Sequence, residues 1–101
     1  MKVIILHAGE EDQFWLHINK IKRVYEHEHI ITEIYLEDNY KIKIVDYYKL
    51  FNFKKFVYAF INSEKKIEIL KITDFQYCNE RCSMKIKDWV RQVVDERNNN
   101  V

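Results

Sequence analysis

The sequence predicts an α+β fold in which an antiparallel sheet of about five strands carries two amphipathic helices, at about residues 53–62 and 84–97, packed on one face. Three observations support this prediction. Apolar and polar residues alternate through much of the first half, as in half-buried strands. Two later stripes place apolar residues at i, i+3, i+4, i+7 and i+8, which share one side of a helix but not of a strand. The chain has 101 residues, a length expected to form a single compact domain over residues 1–101.

The predicted strands begin with a hairpin of residues 2–8 and 14–18 across the polar turn at residues 9–12. Extended structure continues to about Tyr25, and the charged residues 26–29 are expected to form an exposed connection. Residues 31–37 and 40–45 form the next hairpin, because Asp38 and Asn39 between them tolerate left-handed backbone. A further strand covers residues 67–72. The loop predicted after it contains Tyr77, Cys78 and Cys82.

Each helix has an apolar stripe and a capping residue. Asn52 is the predicted N-cap of the first helix, with Phe51 and Phe56 forming a hydrophobic staple across its start. Ser83 is the predicted cap of the second helix, which ends near Arg97 and leaves residues 98–101 as a frayed tail. The first stripe consists of Phe53, Phe56, Val57, Phe60 and Ile61, and the second of Ile86, Trp89, Val90, Val93 and Val94.

Composition excludes several functional classes. The single glycine argues against phosphate-cradling nucleotide loops, which need glycine for close backbone approach. No apolar run reaches the roughly 20 residues needed to cross a bilayer, and the first residues are unlike a signal peptide. These features predict a cytoplasmic protein without a membrane partner. Abundant Ile, Lys, Asn, Tyr and Phe indicate an AT-rich genome, such as that of a virus, a low-GC bacterium or a thermophilic archaeal virus.

Charge is distributed unevenly along the chain. Residues 1–48 carry six Lys/Arg against nine Asp/Glu, a net charge of −3, whereas residues 49–101 carry eleven against seven, a net charge of +4. The basic surface is therefore expected in the second half. The overall charge of +1 is far below that of a dedicated nucleic-acid-binding domain.

The order of patterned residues over positions 2–60 resembles the short flagellar swarming-motility family. The matching residues are Gly9, Glu10 and Phe14 in the first hairpin, Ile18 and Ile21 in the next strand, and Thr32, Ile34, Leu36, Asp38 and Asn39 in the second hairpin. Position 40, where the family has glycine, is Tyr40. The resemblance implies a strand-rich body closed by a helix. With the Trp-containing helix at Lys87, Asp88, Trp89 and Val90, such a body also looks like a pleckstrin-homology-type sandwich. Neither likeness assigns catalytic residues, and a shared fold would not fix the function.

Histidines and cysteines provide weak candidates for a metal or redox site. His27 and His29 are two residues apart and would point the same way in a strand, so with Cys78 and Cys82 they could complete a zinc site. The two cysteines could also form a redox pair near a helix start. The alternative is an exposed charged turn with two reduced thiols. We expect no bound metal, no cofactor and no enzymatic activity.

Aromatic residues suggest two binding surfaces. Tyrosine, tryptophan and phenylalanine make up 15% of the chain, more than its core requires, and such rings are common at interface hot spots. The candidate protein-binding residues are Tyr35, Tyr40, Tyr47, Tyr48 and Tyr58. In the alternative, lysines interleaved with aromatic residues over positions 47–66 would bind nucleic acid. These lysines are Lys49, Lys54, Lys55, Lys65 and Lys66.

The function predicted from these observations is non-enzymatic protein binding. Small size and AT-rich composition favour an accessory protein of a virus or mobile element that inhibits or redirects a host factor, such as a defence complex. The alternative is a small nucleic-acid-binding regulator. Free sheet edges would also allow a homodimer formed by strand addition.

Overall fold

Seven strands and two helices make up a computed structural model of the chain, which describes residues 1–9, 11–27, 30–46, 52–79 and 86–99. In chain order the elements are β1 (Val3–Ala8), β2 (Asp12–His17), β3 (Ile21–His27), β4 (Ile31–Leu36), β5 (Tyr40–Val45), α1 (Phe53–Ile61), β6 (Ile67–Ile72), β7 (Asp74–Asn79) and α2 (Ile86–Asn99). The α+β class is confirmed, but the described strands form two sheets instead of one sheet of about five strands.

A three-stranded sheet has the order β2-β1-β6, and a four-stranded sheet has the order β3-β4-β5-β7. All neighbouring strands are antiparallel except β1 and β6, which are parallel. The predicted second hairpin is confirmed: Asp38 and Asn39, with φ of 61° and 65°, connect β4 to β5. In the first hairpin the turn uses Gly9, whose φ of 71° is readily adopted without a side chain.

Two predicted connections are strands in the structure. Tyr77 and Cys78, expected in a loop, lie in β7, which pairs with β5 along its whole length. Strand β3 extends to His27, which pairs with Ile31 and is therefore not part of an exposed connection. The β3 segment alternates poorly in polarity, so its conformation depends on pairing with β4. Residues 74–77 do alternate, which is a strand signal that the prediction of a loop overlooked.

The main core is formed by side chains from both sheets and α1. Its buried members are Ile4, Leu6, Ala8, Leu16, Ile34, Leu36, Ile42, Ile44, Phe53, Phe60, Leu70 and Ile72. The Asn52 side chain accepts a hydrogen bond from the Lys55 backbone N at 3.1 Å, which confirms the predicted N-cap. The apolar stripe of α1 is buried less completely than expected, because Ile61 at its last turn remains 48% exposed.

Helix α2 does not pack in the main core with α1. Trp89 is buried against Val45, with Val90 beside it, in a cluster separate from the main core. Val45 and its neighbour Ile44 point to opposite faces of β5, and Ile44 belongs to the main core with α1. The prediction that both helices pack on one face is therefore wrong. Helix α2 also continues two residues beyond the predicted end at Arg97, whereas its predicted cap, Ser83, lies outside the described residues.

Candidate functional site

The face of the four-stranded sheet that points away from the main core carries mostly polar side chains. Tyr25, Glu33, Lys43 and Gln76 form one row of cross-strand neighbours, one residue from each strand. Arg23, Tyr35, Lys41 and Cys78 form the next row. Cross-strand neighbours point to the same side of a sheet, so these eight residues share what we call the outer face.

A cleft with a volume of about 590 Å³ opens on the outer face. Strand β3 supplies one wall, while β4, β5 and the turn between them supply the rest. The lining residues are Lys22, Arg23, Tyr25, His27, Glu33, Tyr35, Leu36, Asn39, Tyr40 and Lys41. We call this the tyrosine cleft, because three of its ten lining residues are tyrosines.

The Glu33 carboxylate is buried in the wall of the cleft, with its side chain only 8% exposed. His27 Nε2 lies 2.6 Å from Oε1 and donates a hydrogen bond when it carries a proton. The Tyr35 hydroxyl donates to Oε2 at 3.3 Å, and Lys41 Nζ lies 3.7 Å from the same oxygen. Both carboxylate oxygens therefore have partners, which a buried charge needs to offset its desolvation.

The tyrosine rings in the cleft are held by other side chains. Tyr25 meets Tyr35 edge to face, with ring centroids 5.5 Å apart and planes at 87°. Lys41 Nζ lies 5.9 Å from the centroid of the Tyr35 ring, and Arg23 Nη1 donates to the Tyr25 hydroxyl at 3.2 Å. Burial, and after it the negative charge of Glu33, raises the pKa of Tyr35 above its ordinary value.

A second aromatic group adjoins the cleft at Tyr40. The Tyr40 and Tyr77 rings are stacked, with centroids 5.1 Å apart and planes at 8°, and Tyr77 also contacts Phe14 at 4.9 Å. Burial, and after it the charge that Tyr40 would carry, raises the pKa of Tyr77. Tyr40 also lines a smaller cavity of about 240 Å³ together with Trp15, which is 55% exposed.

The predicted protein-binding tyrosines are brought together only in part. Tyr35 and Tyr40 both line the tyrosine cleft. Tyr58 lies on α1, 73% exposed, and does not line the cleft. Tyr47 and Tyr48 fall outside the described residues.

The predicted nucleic-acid-binding lysines are divided between the two ends of α1. Lys54 and Lys55 lie in its first turn, whereas Lys65 and Lys66 follow its end. Six helical residues, 56–61, lie between the two pairs and span about 9 Å along the helix axis. An acid lies near each pair: the Lys54 backbone N donates to Glu26 Oε1 at 3.2 Å, and Lys65 Nζ is 3.3 Å from Glu68 Oε2. Lys49 falls outside the described residues.

The weak metal candidates do not converge. His27 is on β3 and Cys78 on β7, the two edge strands of the described four-stranded sheet. Three strand spacings, about 14 Å, separate them, so these two residues cannot ligate one zinc ion, whose bonds to protein ligands are about 2.0–2.3 Å long. His29 and Cys82 lie outside the described residues. Within the described parts of the chain, no group of three or more His, Cys, Asp or Glu side chains is placed to hold a metal.

Sequence reasoning missed most of the cleft. Tyr25, Arg23 and Lys41 have a usable signal, since each lies at an alternate, outward-facing position of a strand. What the sequence lacked was the pairing of β3 with β4, which brings Tyr25 beside Glu33 and Arg23 beside Tyr35. The polarity pattern of a strand shows which residues face each side of the sheet, but it does not show which strand lies beside it.

Comparison with known proteins gives no family to which the site can be assigned: no family model, curated protein or solved structure matches the chain. Neither helix in the described residues is long and apolar enough to cross a membrane.

Proposed function

We propose that this chain is a non-enzymatic protein-binding module whose contact surface is the tyrosine cleft. The observation that carries the proposal is the meeting of Tyr25, Tyr35 and Arg23 in one cleft of about 590 Å³. Tyrosine and arginine are enriched among the residues that dominate binding energy at protein interfaces. Tyrosine suits this role because it presents an apolar ring and a polar hydroxyl with only two side-chain torsions to order.

The contacts of the Glu33 carboxylate favour binding over catalysis. A general acid or base has to be within hydrogen-bond reach of the proton that it transfers. Here His27 approaches one carboxylate oxygen, while Tyr35 and Lys41 approach the other. These contacts support a structural role, in which the carboxylate orients the surrounding side chains.

We further propose that the partner is a host factor and that the chain is an accessory protein of a virus or mobile element. This part of the proposal depends on small size and AT-rich composition. Nucleic-acid binding remains the competing proposal, supported by exposed Lys54, Lys55, Lys65 and Lys66. Their division between the ends of α1 makes a continuous phosphate-binding surface harder to build.

The test is affinity capture from a lysate of the native host, with and without nuclease, followed by mass spectrometry. The cleft variant combines Arg23→Ala and Tyr25→Ala, both at exposed positions. The matched control is Tyr58→Ala, which removes a tyrosine outside the cleft. A stoichiometric protein that survives nuclease, is lost with the cleft variant and is retained by the control would support the proposal.

A partner retained by the cleft variant would contradict the assignment of the cleft. Recovery that requires intact nucleic acid and is abolished by Lys54→Glu with Lys55→Glu would favour the competing proposal. Light-scattering mass of the purified chain tests a homodimer independently. In the described residues, the edge strands available for strand addition are β2 and β6 in one sheet, and β3 and β7 in the other.

A further inference from the structure

Charge in the tyrosine cleft is concentrated and positive. Lys22, Arg23 and Lys41 line it against the single carboxylate of Glu33, a net charge of +2 with His27 neutral. The whole chain has a net charge of only +1, so the rest of the protein is slightly negative. Cationic groups at the rim of a cleft attract anionic ligands and raise their local concentration.

Two of the three positive charges are accessible, whereas Lys41 is only 19% exposed and the Glu33 carboxylate is buried. Lys22 and Arg23 are exposed on the edge strand β3. The Glu33 side chain is 8% exposed and lies beside His27 and Lys41. A ligand entering the cleft therefore meets the cations first. Arginine has a planar fork of donors that matches the two oxygens of a carboxylate.

The aromatic rings are poorly placed to stack on nucleobases. The Tyr25 and Tyr35 rings contact each other nearly at right angles, and the Lys41 ammonium lies over the Tyr35 ring. Tyr40 is stacked on Tyr77. Binding of single-stranded nucleic acid relies on open ring faces along a basic groove. The cleft instead offers tyrosine hydroxyl groups and cations, which suit side-chain carboxylates.

We propose that the tyrosine cleft binds an acidic segment of a partner protein, with Glu or Asp carboxylates of that segment paired to Lys22 and Arg23. This inference rests on the proposed protein-binding function and specifies the chemistry of the partner. The Tyr25 hydroxyl adds a hydrogen-bonding group at the rim, where its side chain is 43% exposed.

The experiment titrates the full chain with a fluorescein-labelled polyglutamate peptide and follows anisotropy, with amide NMR shifts to locate the contact. A polyglutamine peptide and an oligothymidylate of equal length are the comparison probes. The test variant is Lys22→Gln with Arg23→Gln. The control is Lys65→Gln with Lys66→Gln, which makes the same change in net charge outside the cleft. All four positions are exposed, so both variants should remain folded.

We expect saturable binding of polyglutamate, with shifts centred on Tyr25, Tyr35 and Lys41. Affinity should fall about fivefold in the test variant, as for the loss of two exposed charge pairs, and less than about twofold in the control. Three results would overturn the inference: no saturable binding, an equal loss in both variants, or tighter binding of oligothymidylate than of polyglutamate.

The experiments can refute the acidic-segment inference without refuting the proposed protein-binding function. If polyglutamate does not bind but Arg23→Ala with Tyr25→Ala still loses the partner captured from lysate, the acidic-segment inference is wrong and protein binding through the cleft stands. If polyglutamate does not bind and the cleft variant also retains the captured partner, both proposals are wrong.

Discussion

Lys2, the second residue of the chain, is expected to be a main stabilising contact of α1. Its ammonium donates to the carbonyl oxygens of Phe60 and Ser63, at 2.6 and 2.5 Å. It also lies 4.9 Å from the centroid of the Phe60 ring. A cation at this end of a helix interacts favourably with the helix dipole. We therefore examine Lys2→Met, which keeps most of the apolar stem and removes the charge.

The expected loss follows from these contacts. The Phe60 carbonyl also accepts from the Ser63 backbone N at 3.1 Å and the Ser63 hydroxyl at 2.7 Å, so it remains paired in the variant. The lost ammonium bond to Ser63 contributes about 1.5–3 kcal/mol when the donor is charged. Because Lys2 is only partly buried, the lower end applies, and the ring contact adds about 0.5 kcal/mol. Lys2→Met should lower the free energy of unfolding by about 2 kcal/mol.

Urea unfolding monitored by circular dichroism measures this loss, and thermal unfolding should show a Tm lowered by roughly 8–16 °C. The control is Lys20→Met. Lys20 is 56% exposed and pairs with Glu37 at 3.4 Å, so its removal should cost about 0.5 kcal/mol or less. A change below about 0.5 kcal/mol for Lys2→Met, or equal changes in the two variants, would refute the assignment of Lys2 as a stabilising contact of α1.

Three further predictions concern caps, ionisation and burial. Asn52→Ala removes the N-cap acceptor of α1 and should lower the free energy of unfolding by about 1 kcal/mol; an unchanged urea midpoint would contradict it. Because the native pKa of Tyr35 is raised above its ordinary 10.0, the associated stability is complete below pH 10 and is lost as pH rises through the native pKa. Tyr35→Phe should make unfolding less pH-dependent there, whereas an identical decline would show that Tyr35 does not contribute. Trp89 is 5% exposed and Trp15 is 55% exposed, so acrylamide should quench Trp15→Phe much less than Trp89→Phe, and equal quenching would contradict the burial of α2.

The elements that sequence reasoning predicted well depend on contacts between residues close in the chain. Helix α1 is specified by the period of Phe53, Phe56 and Phe60 and by the adjacent cap Asn52. The β4–β5 hairpin is specified by Asp38 and Asn39, which adopt the left-handed backbone that tight turns require.

The errors concern pairings between distant residues. Strand β6 pairs in parallel with β1, so that Ile5 lies beside Ile69, and no local signal indicates this partner. A strand pattern is equally compatible with one sheet or two. For the same reason the placement of α2 on the opposite face from α1 could not be predicted from its stripe. Trp89 requires an apolar partner, and the sequence offers several strands that could provide one.

Contacts among its own side chains order the tyrosine cleft. Arg23 holds the Tyr25 hydroxyl, and Tyr25 packs edge to face on Tyr35. Glu33 accepts from the Tyr35 hydroxyl, which fixes the next ring. Ordering a mobile side chain on binding costs about 0.5–1.5 kcal/mol, and here these contacts already restrict the two rings before a partner arrives. Under the proposed binding function, the buried carboxylate would contribute through the side chains that it orients, because most of its own surface is inaccessible to a ligand.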